Sequence, residues 1–242
     1  MSSSITPNEM NNHVEEFQRF YILCVACSCA FPLMLSLYYQ HIQKTSSQNR
    51  FSGIISLLVV HPLVFSSVRC MTHIICNIPY GNFYDNKPSD FVMILPGILF
   101  QDFLFYWIHR AMHKNQWLYD TIHREHHKDH EPEVWSTFRA SIGEIILCNA
   151  CTMIIPGVVF NFGYMAFGVF QTLLLSQAIR GHTRDSHVTG GTDPHVNYTS
   201  TKLSSYIMTR NFHANHHMCG RGNYGGFHFI FWDQLMGTHL TS

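Results

Sequence analysis

Three histidine clusters carry the chemistry of this chain: His109-Arg-Ala-Met-His113, His123-Arg-Glu-His126-His127 and His213-Ala-Asn-His216-His217. Residues three or four apart on a helix share a face, so each cluster is expected to aim its rings one way. A structural zinc takes about four ligands and a catalytic zinc about three plus water. Eight imidazoles therefore predict two metal ions. Imidazole-rich sites suit iron, copper, nickel or zinc, and spacing alone does not choose among them. The chain has 18 His in 242 residues, so some clustering is expected by chance. Two separate H-x-x-H-H runs beside an H-x-x-x-H are more than chance supplies.

The elements that must position these rings read as membrane helices. Charged residues make up 12% of the chain, about half the soluble average of roughly 25%. Formal net charge is zero, so nothing recruits nucleic acid electrostatically. Phe20 to Tyr39 is uncharged and close to the roughly 20 residues a spanning helix needs. Phe51 to Val68 is a second apolar run, interrupted by His61-Pro62, and Phe91 to Ile108 is a third that leads straight into His109. Ile145 to Phe160 and Phe162 to Ala178 form a hairpin around Asn161, either spanning or re-entrant. Pro32, Pro62, Pro96 and Pro156 predict kinks, which membrane helices tolerate. The expected fold is all-α: an integral-membrane bundle of about four to five membrane helices with a histidine-rich helical cap. Residues 1–19 are expected to be a flexible tail and 20–242 a single domain.

One shared site requires residues 109–144 and 179–242 on one side of the membrane. The short loop 40–50 falls on that side by counting crossings, and it carries Lys44 and Arg50 with no acid. The positive-inside rule makes that side cytosolic. No cleavable signal peptide is expected, because the first apolar run starts late and lacks a basic leader. The sequon Asn197-Tyr-Thr199 then faces the cytosol and is expected to be unmodified. Cys24, Cys27, Cys29, Cys148 and Cys151 lie inside apolar runs and read as packed thiols, not as a disulfide framework.

Among the polar neighbours, Asp102 lies two helical turns before His109 and shares a face with His109 and His113. An intramembrane carboxylate is a functional candidate by default; accepting a hydrogen bond from a ligand ring N–H would stabilise it, and snorkelling to the interface is the alternative. Glu125 sits inside the second cluster but off its ligand face, as a salt-bridge partner at the surface or beside the ligands. These two acids are the candidate catalytic carboxylates. His182, just past the hairpin, and His187 are candidate further ligands.

The stretch Asp102 to Glu133 contains H-R-x-x-H, then Trp117-Leu-Tyr119, then H-x-x-H-H. It resembles the first half of the fatty acid hydroxylase / sterol desaturase superfamily. The third cluster, with Asn223-Tyr-Gly225 and Phe231-Trp-Asp-Gln-Leu-Met-Gly-Thr238, resembles that superfamily's closing block, and the likeness covers roughly residues 95–240. Where many relatives carry H-P-x-E, this chain has Ser141-Ile-Gly-Glu144. The resemblance implies a di-iron oxygenase of the endoplasmic reticulum membrane with its cap in the cytosol. It implies two iron ions, O2 as co-substrate, and electrons from NAD(P)H through cytochrome b5 or another separate donor. The substrate would be a lipid, a sterol or fatty-acyl chain, either hydroxylated or desaturated on the same scaffold. A non-catalytic metal-binding membrane protein is the reading from a different class. By position, the implied ligands are His109, His113, His123, His126, His127, His213, His216 and His217, with His182 the ninth.

Overall fold

The computed structural model describes residues 7–43, 50–76, 86–183, 207–208, 210–226 and 228–240. Among these the chain is helical, with one isolated antiparallel bridge between Ile207 and Phe229. The first helix, α1 (Pro7–Gln43), takes in residues 7–19, which the sequence set apart as a tail. The second apolar run is continuous helix made of α2 (Arg50–Ile55), a π-register stretch (Ser56–Val60) and α3 (His61–Cys76). The cause of the π-stretch is local. Pro62 brings no N–H and its ring crowds the carbonyl four residues back, and the chain widens so that the His61 N–H reaches the Ser56 carbonyl.

The short α4 (Pro88–Val92) leads into α5 (Ile94–Lys114), which buries Gln101, Asp102, Phe105, Tyr106, His109 and Met112 along one face. After α5 the chain forms α6 (Gln116–Leu118), a π-register stretch (Tyr119–His123) and two short 3-10 turns, His126–Lys128 and Val134–Phe138. Asn115 ends α5 and starts α6, its side chain accepting from the Leu118 N–H at 3.1 Å.

The hairpin expected around Asn161 is present. Its first arm is α7 (Ile142–Glu144), a π-register stretch (Ile145–Cys151) and α8 (Thr152–Val159); its second is α9 (Tyr164–Gly181). Asn161 turns the chain at φ +52°, a left-handed conformation that asparagine tolerates better than most residues. The start of α9 is held from outside: Asp90 accepts from the Gly163 N–H at 3.1 Å and Asn86 from the Met165 N–H at 2.9 Å. Two more helices, α10 (Arg210–Cys219) and α11 (Phe231–Leu235), close the described chain.

Apolar side chains of α3, α5, α8 and α9, including Phe65, Ile98, Met153, Phe167 and Phe170, form the main core. A second cluster joins α1 to Trp135, Phe138 and Ile179. Among the described residues, two helical segments are long and apolar enough to cross a membrane: Arg50–Thr72 and Ile142–Val159. The end of α5, the start of α7 and the end of α9 meet at one pole, and the histidines gather there.

Candidate metal centre

Nine histidines converge in two groups, each with its ligand atoms within 4.8 Å of one another. The first group is His109, His113, His123, His127 and His216; the second is His126, His182, His213 and His217. The division cuts across the sequence motifs. Each H-x-x-H-H cluster feeds both groups, instead of aiming all its rings one way: His123 and His127 go to the first and His126 to the second, while His216 goes to the first and His213 and His217 to the second. His126 and His127 lie in a 3-10 turn, where consecutive residues point about 120° apart, so their rings go to different groups. Only the α5 pair, His109 and His113, serves a single group.

The ring protons can be assigned from the partners. A backbone carbonyl only accepts, so an imidazole nitrogen facing one must carry the proton. His109 Nδ1 donates to the Tyr224 carbonyl and His216 Nδ1 to the Gly222 carbonyl, each at 2.7 Å. His182 Nδ1 donates to the Ala178 carbonyl at 2.8 Å, and His126 and His217 donate to the Arg139 and Asp129 carbonyls at 3.1 Å. His123 Nδ1 meets Glu144 Oε1 at 3.0 Å. In a neutral ring the other nitrogen, Nε2, is then a bare lone pair.

The Nε2 atoms of both groups face one another. His109 and His123 approach to 3.0 Å, His123 and His113 to 2.9 Å, and His216 and His127 to 3.1 Å. In the second group His182 lies 3.4 Å from His126 and 3.1 Å from His213, which is 3.2 Å from His217. Where both rings carry the proton on Nδ1, as in the His109–His123 and His126–His182 pairs, no hydrogen is left to bridge the nitrogens. Lone pairs held this way need a cation between them. Nitrogens bound about 2.1 Å from one ion lie about 3 to 3.4 Å apart when adjacent in its coordination shell, which is the spacing found. An all-imidazole donor set suits iron, copper, nickel or zinc, so the residues fit the metals that the sequence implied.

Burial keeps the rings neutral and therefore able to bind. It pushes His123, His182 and His216 down to about 3. The sign for stability follows: below the unfolded value near 6.5 the unfolded chain takes up protons that the native rings refuse, so stability is lost as pH falls from 6.5 toward 3. Each ring costs roughly 1.4 kcal/mol per pH unit in that window. Urea unfolding of metal-free protein is expected to show a lower midpoint at pH 5.5 than at 7.5; equal midpoints would contradict the neutral-ring assignment.

The carbonyls that orient the rings are themselves held. Asp233, fully buried, accepts from the Tyr224 N–H at 2.8 Å, the Gly225 N–H at 2.7 Å and the Thr238 hydroxyl at 2.7 Å. Asn223, at φ +55°, donates to the Phe212 carbonyl and accepts from the Leu240 N–H. Together they fix the loop whose Gly222 and Tyr224 carbonyls aim His216 and His109. Gly226 completes the loop where it lies on Phe105; a Cβ there would collide with that ring.

The two acids named from sequence stand away from the ring nitrogens. Asp102 is buried in α5 and accepts from the His228 backbone N–H at 3.3 Å rather than from a ligand ring. Glu125 pairs with Lys128 and with Arg139 Nε, and Arg139 Nη1 reaches Asp129. That network braces the Arg139 and Asp129 carbonyls that orient His126 and His217, so Glu125 acts on the site through them. His187 lies outside the described residues. Sequence reasoning gave Glu144 no role of its own, yet its carboxylate holds His123. The signal was available: an acid at the mouth of an apolar run. Asp233 had no such signal beyond its place in the closing block.

A cavity of about 40 Å³ opens beside the second group. His126, His182 and His213 line it, together with Phe105, Thr137 and Glu144.

A buried, all-imidazole, two-compartment metal site at the pole of an apolar helical bundle defines the class to which comparisons with known proteins then give a name. Residues 94–238 match the family described as fatty acid hydroxylase, and the chain belongs to that family. A Dictyostelium discoideum protein provisionally named a methylsterol monooxygenase is 26% identical over 226 residues, covering 87% of this chain and 75% of its own. A very-long-chain aldehyde decarbonylase of Oryza sativa subsp. japonica is 30% identical, over 60% of this chain and 45% of its own. Methylsterol monooxygenase 1-3 of Arabidopsis thaliana is also 30% identical, over 58% and 45%. The match thus spans less than half the length of the rice and Arabidopsis relatives. No solved structure matches. The relatives are oxidoreductase-type enzymes, and this chain is an enzyme of that type.

Proposed function

We propose that the chain is a membrane-embedded, O2-dependent lipid oxygenase that hydroxylates a sterol or fatty-acyl substrate. The observation that carries this reading is the two sets of imidazole nitrogens that face one another. They argue for two metal ions, one held by His109, His113, His123, His127 and His216 and the other by His126, His182, His213 and His217. Iron is the metal we assign, from the family and the imidazole donor set. Bound iron would supply the O2 activation that an unactivated C–H bond requires. The chain's own part is to hold the ions, orient the substrate and keep the site dry.

The four-histidine group borders the cavity through His126, His182 and His213. A catalytic metal keeps an open position and a structural one does not, so the substrate carbon is placed at the second group. The apolar segments Arg50–Thr72 and Ile142–Val159 support a membrane setting. The remaining spans, a cytosolic cap, residence in the endoplasmic reticulum and electron delivery from NAD(P)H through a cytochrome b5-type donor are parts of the same proposal.

The test is O2 uptake by iron-loaded protein given a reductase, a donor and candidate lipids, with product mass as readout. A product that has gained one oxygen atom is expected. A product that has lost two hydrogens would make the chain a desaturase, and no O2 uptake with any lipid, despite full metal loading, would contradict the oxygenase reading.

A further inference from the structure

Behind the first histidine group stands a tyrosine that takes no part in holding metal. Tyr106 is fully buried on α5. Its hydroxyl accepts from Arg110 Nη1 at 3.1 Å and lies 3.0 Å from the Thr238 hydroxyl. The direction of that second bond is set by what lies beyond it. Thr238 gives its one proton to Asp233 Oδ1 at 2.7 Å, so its oxygen accepts and Tyr106 donates. A proton chain therefore runs one way, from Tyr106 through Thr238 to Asp233. Asp233 ends it as an ionised carboxylate, because its hydrogen-bond partners are all donors: the Tyr224 and Gly225 N–H groups and the Thr238 hydroxyl. Burial pushes this carboxyl above its usual range, which favours uptake of a proton.

The same ring is joined to the metal ligands by aromatic contacts. Tyr106 and Tyr224 have ring centroids 6.4 Å apart. The Tyr224 ring lies 5.3 Å from that of His113, 5.8 Å from His216 and 6.1 Å from His109, three of the five members of the first group. On its other side Tyr106 meets Trp107 at 5.4 Å, and Trp107 is 39% exposed. Phenol and indole are the aromatic side chains most easily oxidised by one electron, and a phenol gives up its electron readily where its proton has an acceptor. The Arg110 guanidinium lies 5.5 Å over the Trp107 ring and opposes a positive charge there. An oxidising equivalent therefore rests on Tyr106, which is neutral once its proton has left.

We propose that Tyr106 is a redox-active tyrosine serving the first histidine group, with Tyr224 as its electron path and Thr238 and Asp233 as its proton path. This rests on the oxygenase reading and adds to it. When O2 has oxidised the iron-loaded group and no lipid is bound, one electron passes from Tyr106 through Tyr224 to that group. The Tyr106 O–H bond breaks, its proton moves to Thr238, and the Thr238 proton moves to Asp233, which becomes a carboxylic acid. The group is reduced by one electron, and Tyr106 is left as a neutral phenoxyl radical. A one-electron donor at the surface, acting through Trp107, restores the phenol while Asp233 returns the proton along the same chain. The oxidising equivalent is thereby kept off the ligand imidazoles.

The experiment uses the full chain in detergent micelles, iron-loaded, reduced, mixed with O2 without lipid and frozen for electron paramagnetic resonance. O2 consumption and metal content are measured alongside. A tyrosyl signal is expected that narrows when ring-deuterated tyrosine is incorporated. Tyr106→Phe should abolish it with metal content unchanged. Thr238→Val removes the positioned proton acceptor and should lower its yield about a hundredfold, and Thr238→Ser should restore it. Tyr119→Phe, outside the chain although its ring lies 5.5 Å from that of His113, should leave the signal as it is. A signal that survives Tyr106→Phe would overturn the proposal, as would an equal yield in Thr238→Val or loss of the signal in Tyr119→Phe alone. O2 consumption with no organic radical would overturn it too and leave the oxygenase reading standing. No O2 consumption by the iron-loaded chain would contradict that reading and this proposal together.

Discussion

Alanine at His123 is expected to empty one compartment of the metal centre and to reduce O2-dependent turnover by a hundredfold or more. The ring is 1% exposed. Its Nε2 stands 3.0 Å from that of His109 and 2.9 Å from that of His113, so it is the ligand around which the first group closes. Its loss leaves four imidazoles around a void that no neighbour fills. The second group does not include His123, and metal content should fall from about two ions per chain toward one rather than to zero. Glu144 supplies a graded comparison. Glu144→Ala removes the acceptor that fixes the His123 ring and should weaken metal binding about 10- to 100-fold. Glu144→Gln can still present an oxygen to the Nδ1–H and should lose less. Elemental analysis with O2 uptake reads both; full metal content in His123→Ala would contradict the assignment of the first group.

The second large effect is expected far from any ring nitrogen, at Asp233. Its side chain is buried and satisfies two backbone N–H groups and the Thr238 hydroxyl. Removing the acceptor strands those donors in a dry interior, where each unpaired group costs about 1–3 kcal/mol. After partial relaxation Asp233→Ala should cost about 3–5 kcal/mol, a large share of the 5–15 kcal/mol typical of a folded domain. Two functional rings should loosen together, because the Tyr224 and Gly222 carbonyls orient His109 and His216. Tyr106 should feel it as well, since its hydroxyl lies 3.0 Å from the Thr238 hydroxyl. Thermal unfolding of the detergent-solubilised protein should show a drop of several degrees together with lower metal content. An unchanged Tm would mean that the loop is held by something other than Asp233.

The parts of the site legible in the sequence were those that local geometry dictates. His109 and His113 share a face because four residues make about one turn, and Asn161 breaks the hairpin because it accepts a left-handed turn. His182 was reachable because the hairpin had to return the chain to the same pole. What spacing could not supply was the split of each H-x-x-H-H cluster between two groups. That depends on α10 and the 3-10 turn His126–Lys128 facing each other, a contact between segments nearly ninety residues apart, as in the His216–His127 pair. Asp102 was misleading for a related reason: helical periodicity put it on the ligand face, but the backbone at His228 arrived first. The π-register stretches were hidden too, although one ends on His123, one starts just after Glu144, and such turns recur at functional sites. Periodicity places side chains on faces; only the packed fold decides which faces meet.

The central claim is that the facing imidazoles hold two ions per chain. Metal content by elemental analysis on purified, iron-reconstituted protein tests it most directly, with His126→Ala measured beside it. The account predicts about two irons per wild-type chain and about one in the variant, because His126 belongs to the second group alone. Folded wild-type protein that binds no stoichiometric metal, or a variant that keeps both ions, would contradict it.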